Sequence, residues 1–246
     1  MNFRLGAKAA AEFLGTMFLV AAIVGSGIMA ERLSGGNNAL ALLANAIATG
    51  AALIALIIAF GPISGAHLNP MVSLLDALCR RIGLYELSTY VLAQLSGGIA
   101  GVIIANVMFG LPPVHLSQHA RSGVAQCFSE FVATSGLLLV IGICSRQRAN
   151  LTAFAVGGYI TAAYWFSAST SFANPAVTVA RSLSDTFAGI RPRDVLPFLS
   201  AQFAAGTLTA ALLRWFLSGS GLQVGAARSG RPDRLSQKEV DSIGGR

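Results

Sequence analysis

Two stretches decide the architecture: Ser64–Leu78, SGAHLNPMVSLLDAL, and Ser169–Leu183, STSFANPAVTVARSL. Each carries an Asn-Pro pair, Asn69-Pro70 and Asn174-Pro175, followed by a short apolar run. Asn is a favoured helix N-cap and Pro is preorganised for the first helical position, so a helix is expected to begin at each pair. The first pair lies in an interval of 43 residues without Asp, Glu, Lys or Arg, from Arg32 to Asp76, and the second in one of 32, from Arg148 to Arg181. One bilayer crossing takes about 20 apolar residues. Each region therefore holds a full crossing and a remainder, Leu68–Leu78 and Ala173–Leu183. A helix of about 10 residues is about 15 Å long, half of a hydrocarbon core about 30 Å thick. The backbone ahead of these half-spans, Gly61–His67 and Ala168–Phe172, is expected to be non-helical. Such backbone is tolerated at membrane depth only where it is buried in protein or lines a cavity.

The composition agrees. Of 246 residues, 54% are hydrophobic and only 11% charged, and the mean hydropathy is +0.66. That excludes a compact soluble enzyme, whose charged fraction is nearer a quarter. Long apolar runs, rather than short alternating segments, exclude a β-barrel. The fold class is an all-α integral membrane protein with six crossings, expected at Ala9–Met29, Ala39–Phe60, Leu87–Phe109, Val124–Cys144, Leu151–Ala168 and Val195–Leu217, and two re-entrant half-helices. The net charge of +7 is scattered between apolar segments, so it does not describe a nucleic-acid surface. Cys79, Cys127 and Cys144 lack paired or metal-type spacing and read as reduced fillers. No removable signal peptide is expected in Met1–Lys8, which runs directly into a crossing.

Matching landmarks divide the chain in two. Glu12 in AEFLGTMFLV matches Glu130 in SEFVATSGLLLV, Asn69 matches Asn174, and Gln94 in LAQLSGG matches Gln202 in SAQFAAG, at offsets of 118, 105 and 108 residues. Residues 1–217 are thus one membrane domain built of repeats at about 7–110 and 122–217. Three crossings per repeat is an odd number, so the repeats are inverted and the half-helices enter from opposite faces, N-termini meeting near the midplane. With the N-terminus inside, twelve basic residues fall on the inner side: Arg4, Lys8, Arg80, Arg81, Arg146, Arg148, Arg214, Arg228, Arg231, Arg234, Lys238 and Arg246. Arg32, Arg121, Arg181, Arg191 and Arg193 remain outside. The positive-inside rule then places both termini in the cytoplasm. Residues 218–246 are polar, Gly-rich and mixed in charge, and read as a disordered cytoplasmic tail.

Two helix N-termini aimed at one point concentrate about half a positive charge each there. Such a point repels cations while offering donors to neutral oxygen, which suits a passage for uncharged polar solutes. Asn69 and Asn174 are expected to cap their helices through Oδ1 and to turn their amide NH₂ groups into the passage. Glu12 and Glu130 are costly in lipid and must face protein or water. They read as acceptors for the unwound N–H groups. The alternative is a proton relay in an inverted-repeat secondary transporter. Gly97 and Gly101 form a GxxxG, answered by Ala205 and Thr209, and mark close helix packing. His67 is a candidate for an inner vestibule. No nucleophile–base set, phosphate loop or metal-ligand spacing is present, so no enzyme, metal or cofactor is expected.

The paired Asn-Pro half-helices, the SGAHLNP stretch, the glutamates opening both halves and the AQ-small-small segments resemble the aquaporin and aquaglyceroporin (major intrinsic protein) family over about Ala9–Leu217. The resemblance implies one pore per subunit and a homotetramer in the membrane, passing small neutral solutes. It also marks two departures. The first motif is Asn69-Pro70-Met71, where the family usually has Ala third. After Asn174-Pro175-Ala176 the family normally places an arginine that narrows the outer constriction, and here Val177 stands there. Counting back from each Asn without gaps puts the other constriction positions at Thr49, Ala162 and Ser171. Such a wide, arginine-free ring implies glycerol-like solutes, and the pattern resembles a bacterial branch, the AqpS type, associated with arsenic resistance. Undissociated arsenite and methylated arsenicals are neutral and hydroxyl-bearing, which fits. The expected location is a bacterial inner membrane. Arg181, one turn beyond Val177, either pairs with Asp185 or replaces the lost charge from the outer vestibule; the pairing is the preferred expectation.

The orientation is testable in a variant lacking the native cysteines. Single cysteines placed beside Arg4 and beside Lys238 should resist an impermeant thiol reagent in intact cells and react after permeabilisation; labelling of either in intact cells would reverse the topology.

Overall fold

A computed structural model describes residues 3–218, and the expected tail, 218–246, lies almost wholly outside the described residues. Those residues form eight α-helices: α1 Leu5–Leu33, α2 Asn38–Ser64, α3 Pro70–Leu78, α4 Leu84–Met108, α5 Val124–Gln147, α6 Thr152–Phe166, α7 Pro175–Arg181 and α8 Pro192–Ser218. Helices α1, α2, α4, α5 and α8 are long and apolar enough to cross a bilayer. The expected crossing Leu151–Ala168 is shorter, a 15-residue α6 preceded by a 3₁₀ turn at Ala149–Leu151. It stops at Phe166 because residues 167–173 form the unwound approach to the second half-helix.

Packing repeats across the two halves. Helix α1 packs on α4 and α5 on α8, while α2 meets α6 across the pseudo-symmetric centre. Each half-helix packs against long helices of both repeats: α7 mainly on α4 and also on α8, and α3 on both α4 and α8. Each repeat therefore completes the other. Gly97 and Gly101 bring α4 against α1 backbone to backbone, since a Cβ at either would lie 2.3 Å from the carbonyl oxygen of Phe13 or Met17 respectively. Ala205 and Thr209, fully buried, hold the matching places on α8. Small residues are what permit such approach where lipid gives no hydrophobic drive to helix association.

One expected boundary is corrected. Residues 61–64 were assigned to the unwound segment, but α2 continues to Ser64 with Pro62 inside it and ends on Gly65, whose φ of 89° is left-handed. Pro62 has no N–H to donate to the Ile58 carbonyl, so the last turn of α2 is held by one intrahelical bond fewer before Gly65 ends the helix. The unwound approach to α3 is thus only residues 65–68.

Candidate functional site

The two approaches share one construction. Ala66 and Ser171, three residues before each Asn, have φ of 46° and 50°; Leu68 and Ala173, directly before it, have 49° in both cases. Left-handed backbone costs a non-glycine residue about 1–2 kcal/mol, so something must hold these segments.

Glu12 and Glu130 hold them. Both are fully buried. Glu12 Oε1 accepts from Ser64 Oγ at 2.6 Å and from the His67 backbone N–H at 2.9 Å; Oε2 accepts from the Leu68 N–H and Gln94 Nε2, each at 2.7 Å. In the second repeat Glu130 Oε1 accepts from the Phe172 N–H at 2.8 Å, and Oε2 from the Ala173 N–H at 2.9 Å and Gln202 Nε2 at 2.8 Å. Gln94 donates onward to Ser73 Oγ and Gln202 to Thr178 Oγ1, and both hydroxyls donate back to the carbonyl of the preceding Asn. Carboxylate, glutamine, hydroxyl and Asn carbonyl thus form the same chain twice. The sequence marked Gln94 and Gln202 only as repeat landmarks; their role is to anchor the carboxylates.

The half-helices begin at the expected residues. Asn69 Oδ1 accepts from the Met71 N–H at 2.8 Å, with Pro70 at the first helical position. Asn174 Oδ1 accepts from the Ala176 N–H at 3.0 Å and the Val177 N–H at 3.3 Å, with Pro175 first. The amides correct the expectation that both NH₂ groups turn wholly into the passage. Asn69 Nδ2 donates to the Ala173 carbonyl and Asn174 Nδ2 to the Leu68 carbonyl, both at 2.8 Å. Each Asn braces the other repeat with one N–H and keeps the second.

A cavity of about 200 Å³ lies at this centre, with both asparagines in its wall. The carbonyls of residues 65–67 and 170–172 accept no hydrogen bond from the described residues. His67, Asp76 and Arg81 line one end. His67 Nε2 stands 3.3 Å from Asp76 Oδ2, Arg81 Nη1 stands 3.0 Å from Asp76 Oδ1, and His67 Nδ1 meets Ser73 Oγ at 3.0 Å. Toward the other end lie Thr49, Ser171, Val177 and Arg181.

Ala162 is a correction. It is exposed on the outside of α6 and takes no part in the cavity wall. Tyr164 faces the cavity instead, its hydroxyl 3.2 Å from Thr49 Oγ1. Two residues turn a helix by about 200°, so an ungapped count that is off by two selects the opposite face.

The preferred pairing of Arg181 with Asp185 is corrected as well. Asp185 Oδ1 accepts from the Gln118 N–H at 2.7 Å. Arg181, 1% exposed, donates from Nε to the Ala188 carbonyl and stacks on Phe172 with Cζ 3.5 Å from the ring centroid. No motif singles out Arg121, which packs on the same ring at 5.0 Å. Its guanidinium donates to the carbonyls of Gly189, Ser169 and Phe187 and to Thr170 Oγ1. Burial pulls it down to about 10, still charged at neutral pH. Arg121 ties the loops around the second approach to one another.

An inverted repeat whose two half-helices meet tip to tip beside a shared central cavity is the architecture of a membrane channel. The major intrinsic protein family model matches residues 2–152. Aquaglyceroporin AqpS of Rhizobium meliloti (strain 1021) is 51% identical, covering 88% of this chain and 92% of its own. Aquaporin NIP1-4 of Oryza sativa subsp. japonica is 31% identical over 87% of this chain and 79% of its own. Among solved structures, the aquaglyceroporin from Plasmodium falciparum superimposes with a TM-score of 0.67 at 20% identity, covering 88% of this chain and 97% of that one. The chain belongs to the major intrinsic protein family: it is a multi-pass membrane channel, not an enzyme.

The carboxylate network generates a prediction. In Glu130→Gln, either amide orientation sets an NH₂ against a backbone N–H, of Phe172 or of Ala173, and removes the charge. The purified variant should lose about 2–4 kcal/mol of stability, read as a lower thermal midpoint in detergent. A midpoint equal to wild type would mean that Glu130 does not hold the approach.

Proposed function

We propose that this chain is a passive channel for small uncharged solutes: water, glycerol-like polyols, and arsenite and methylated arsenicals. It acts in a bacterial inner membrane with both termini in the cytoplasm, as a homotetramer with one pore per subunit and no energy coupling. The observation that carries the reading is the cavity passing both Asn residues, with the half-helix N-termini meeting at its centre. The positive ends of both helices disfavour cations there. The remaining Asn N–H groups donate, and the unpaired carbonyls of residues 65–67 and 170–172 accept, so a solute hydroxyl finds both kinds of partner.

The outer ring consists of Thr49, Tyr164, Ser171 and Val177. It is wider than a ring holding an arginine at Val177, and three of its four members carry hydroxyls. That supports solutes larger than water with several oxygens, and it accords with the name aquaglyceroporin borne by the relative that is 51% identical. For Glu12 and Glu130 the reading is structural, because their oxygens are occupied by backbone N–H and glutamine donors.

Stopped-flow swelling of proteoliposomes tests it. Wild type should pass glycerol. Val177→Arg should lower glycerol flux by about ten-fold while water flux changes by about two-fold or less. Wild-type vesicles no more permeable to glycerol than empty ones would contradict the function; a Val177→Arg variant that conducts glycerol normally would remove Val177 from the ring.

A further inference from the structure

Besides the Tyr164 phenol, the ionisable side chains lining the cavity are His67, Asp76, Arg81 and Arg181. His67, Asp76 and Arg81 satisfy one another, with Asp76 between the other two. Arg181 has no carboxylate within ion-pair distance among the described residues. Its Nε donates to the Ala188 carbonyl, and its Nη1, buried, has no hydrogen-bond partner among the described residues. Arg121, the neighbouring buried guanidinium, is different: its donors are engaged by surrounding carbonyls and a hydroxyl.

Asp76 and Arg181 occupy the same place in the two repeats, each seven residues after its Asn. Inversion sends them to opposite ends of the passage. One end therefore carries a carboxylate neutralised by its neighbours, and the other an unneutralised guanidinium. Burying a cation without a counter-ion at membrane depth is costly, and such residues mark solute pathways. The next carboxylate along the chain, Asp185, forms no ion pair with Arg181 and instead accepts from the Gln118 N–H. The Phe172 ring instead fixes the plane of the Arg181 guanidinium. Beside it on the wall are the Thr49–Tyr164 hydroxyl pair and Ser171, whose Oγ also has no partner.

We infer that Arg181 is the specificity-determining arginine of this passage, excluding cations and donating to an oxygen of the neutral solute from one helical turn beyond Val177. The inference rests on the channel reading above. The displacement, about 6 Å along α7, separates two tasks. The apolar Val177 leaves the ring wide, while the charge acts from behind it and does not fill the opening.

The test uses the full chain in proteoliposomes at matched protein density, reading glycerol flux, the xylitol-to-glycerol flux ratio and potassium leak. Arg181→Leu should raise potassium leak by about ten-fold or more and, with a donor to the solute oxygen lost, lower glycerol flux while still passing glycerol above empty vesicles. Adding Val177→Arg to Arg181→Leu should restore potassium exclusion. Arg181→Lys, which keeps the charge but not the fork of donors, should exclude potassium as wild type does and shift the xylitol-to-glycerol ratio by about three-fold or more. Unchanged potassium leak in a glycerol-conducting Arg181→Leu overturns the inference while leaving the channel reading intact; wild type that passes no glycerol overturns both. Should Arg181→Leu fail to incorporate, Arg181→Lys decides, and a wild-type flux ratio overturns the inference.

Discussion

Everything at the centre of this protein depends on two buried carboxylates accepting backbone N–H groups that no helix can satisfy. A chain that stops being helical inside a membrane leaves donors with no water to bind, at several kcal/mol for each unmet group. Glu12 and Glu130 meet that demand where it arises, at the two residues directly before each Asn. Because these N–H groups turn toward the carboxylates, the adjoining carbonyls are left for the cavity. The same interaction that makes the segment tolerable in lipid therefore also makes it useful to a solute. It offsets the left-handed backbone at Ala66, Leu68, Ser171 and Ala173, which would otherwise relax.

The two repeats are tied at their tips as well as along their helices. Each Asn caps its own half-helix and donates to the last carbonyl before the other. Neither half-helix, of nine and seven residues, is long enough to be stable alone. Packed on long helices of both repeats and joined Asn to carbonyl, they form one rigid centre. A substitution on one half-helix should therefore be felt in the other.

The architecture was legible because its signals are local or periodic. Charge-free intervals mark the crossings, the Asn-Pro pairs mark both half-helix starts, and the matched glutamates mark the repeat, whose three crossings make it inverted. What was not legible depended on rotation and distance. The ungapped count chose Ala162 because sequence does not show how many residues α6 yields to the approach, and a two-residue error lands on the lipid side while Tyr164 takes the wall. Arg181 was assigned to Asp185 on helical spacing, but α7 ends at Arg181 and the chain turns away, so the spacing rule no longer applied. Arg121 carried no motif at all. Its partners lie 48 to 68 residues away along the chain.

The central claim is that this arrangement conducts passively and that the buried glutamates carry no protons through it. The direct measurement is radiolabelled glycerol inside proteoliposomes, followed to steady state with and without an imposed proton gradient. A passive channel brings the internal concentration to the external one in both conditions, at the same final level. Accumulation above the external concentration that collapses when a protonophore is added would contradict the account and make Glu12 or Glu130 part of a coupled carrier.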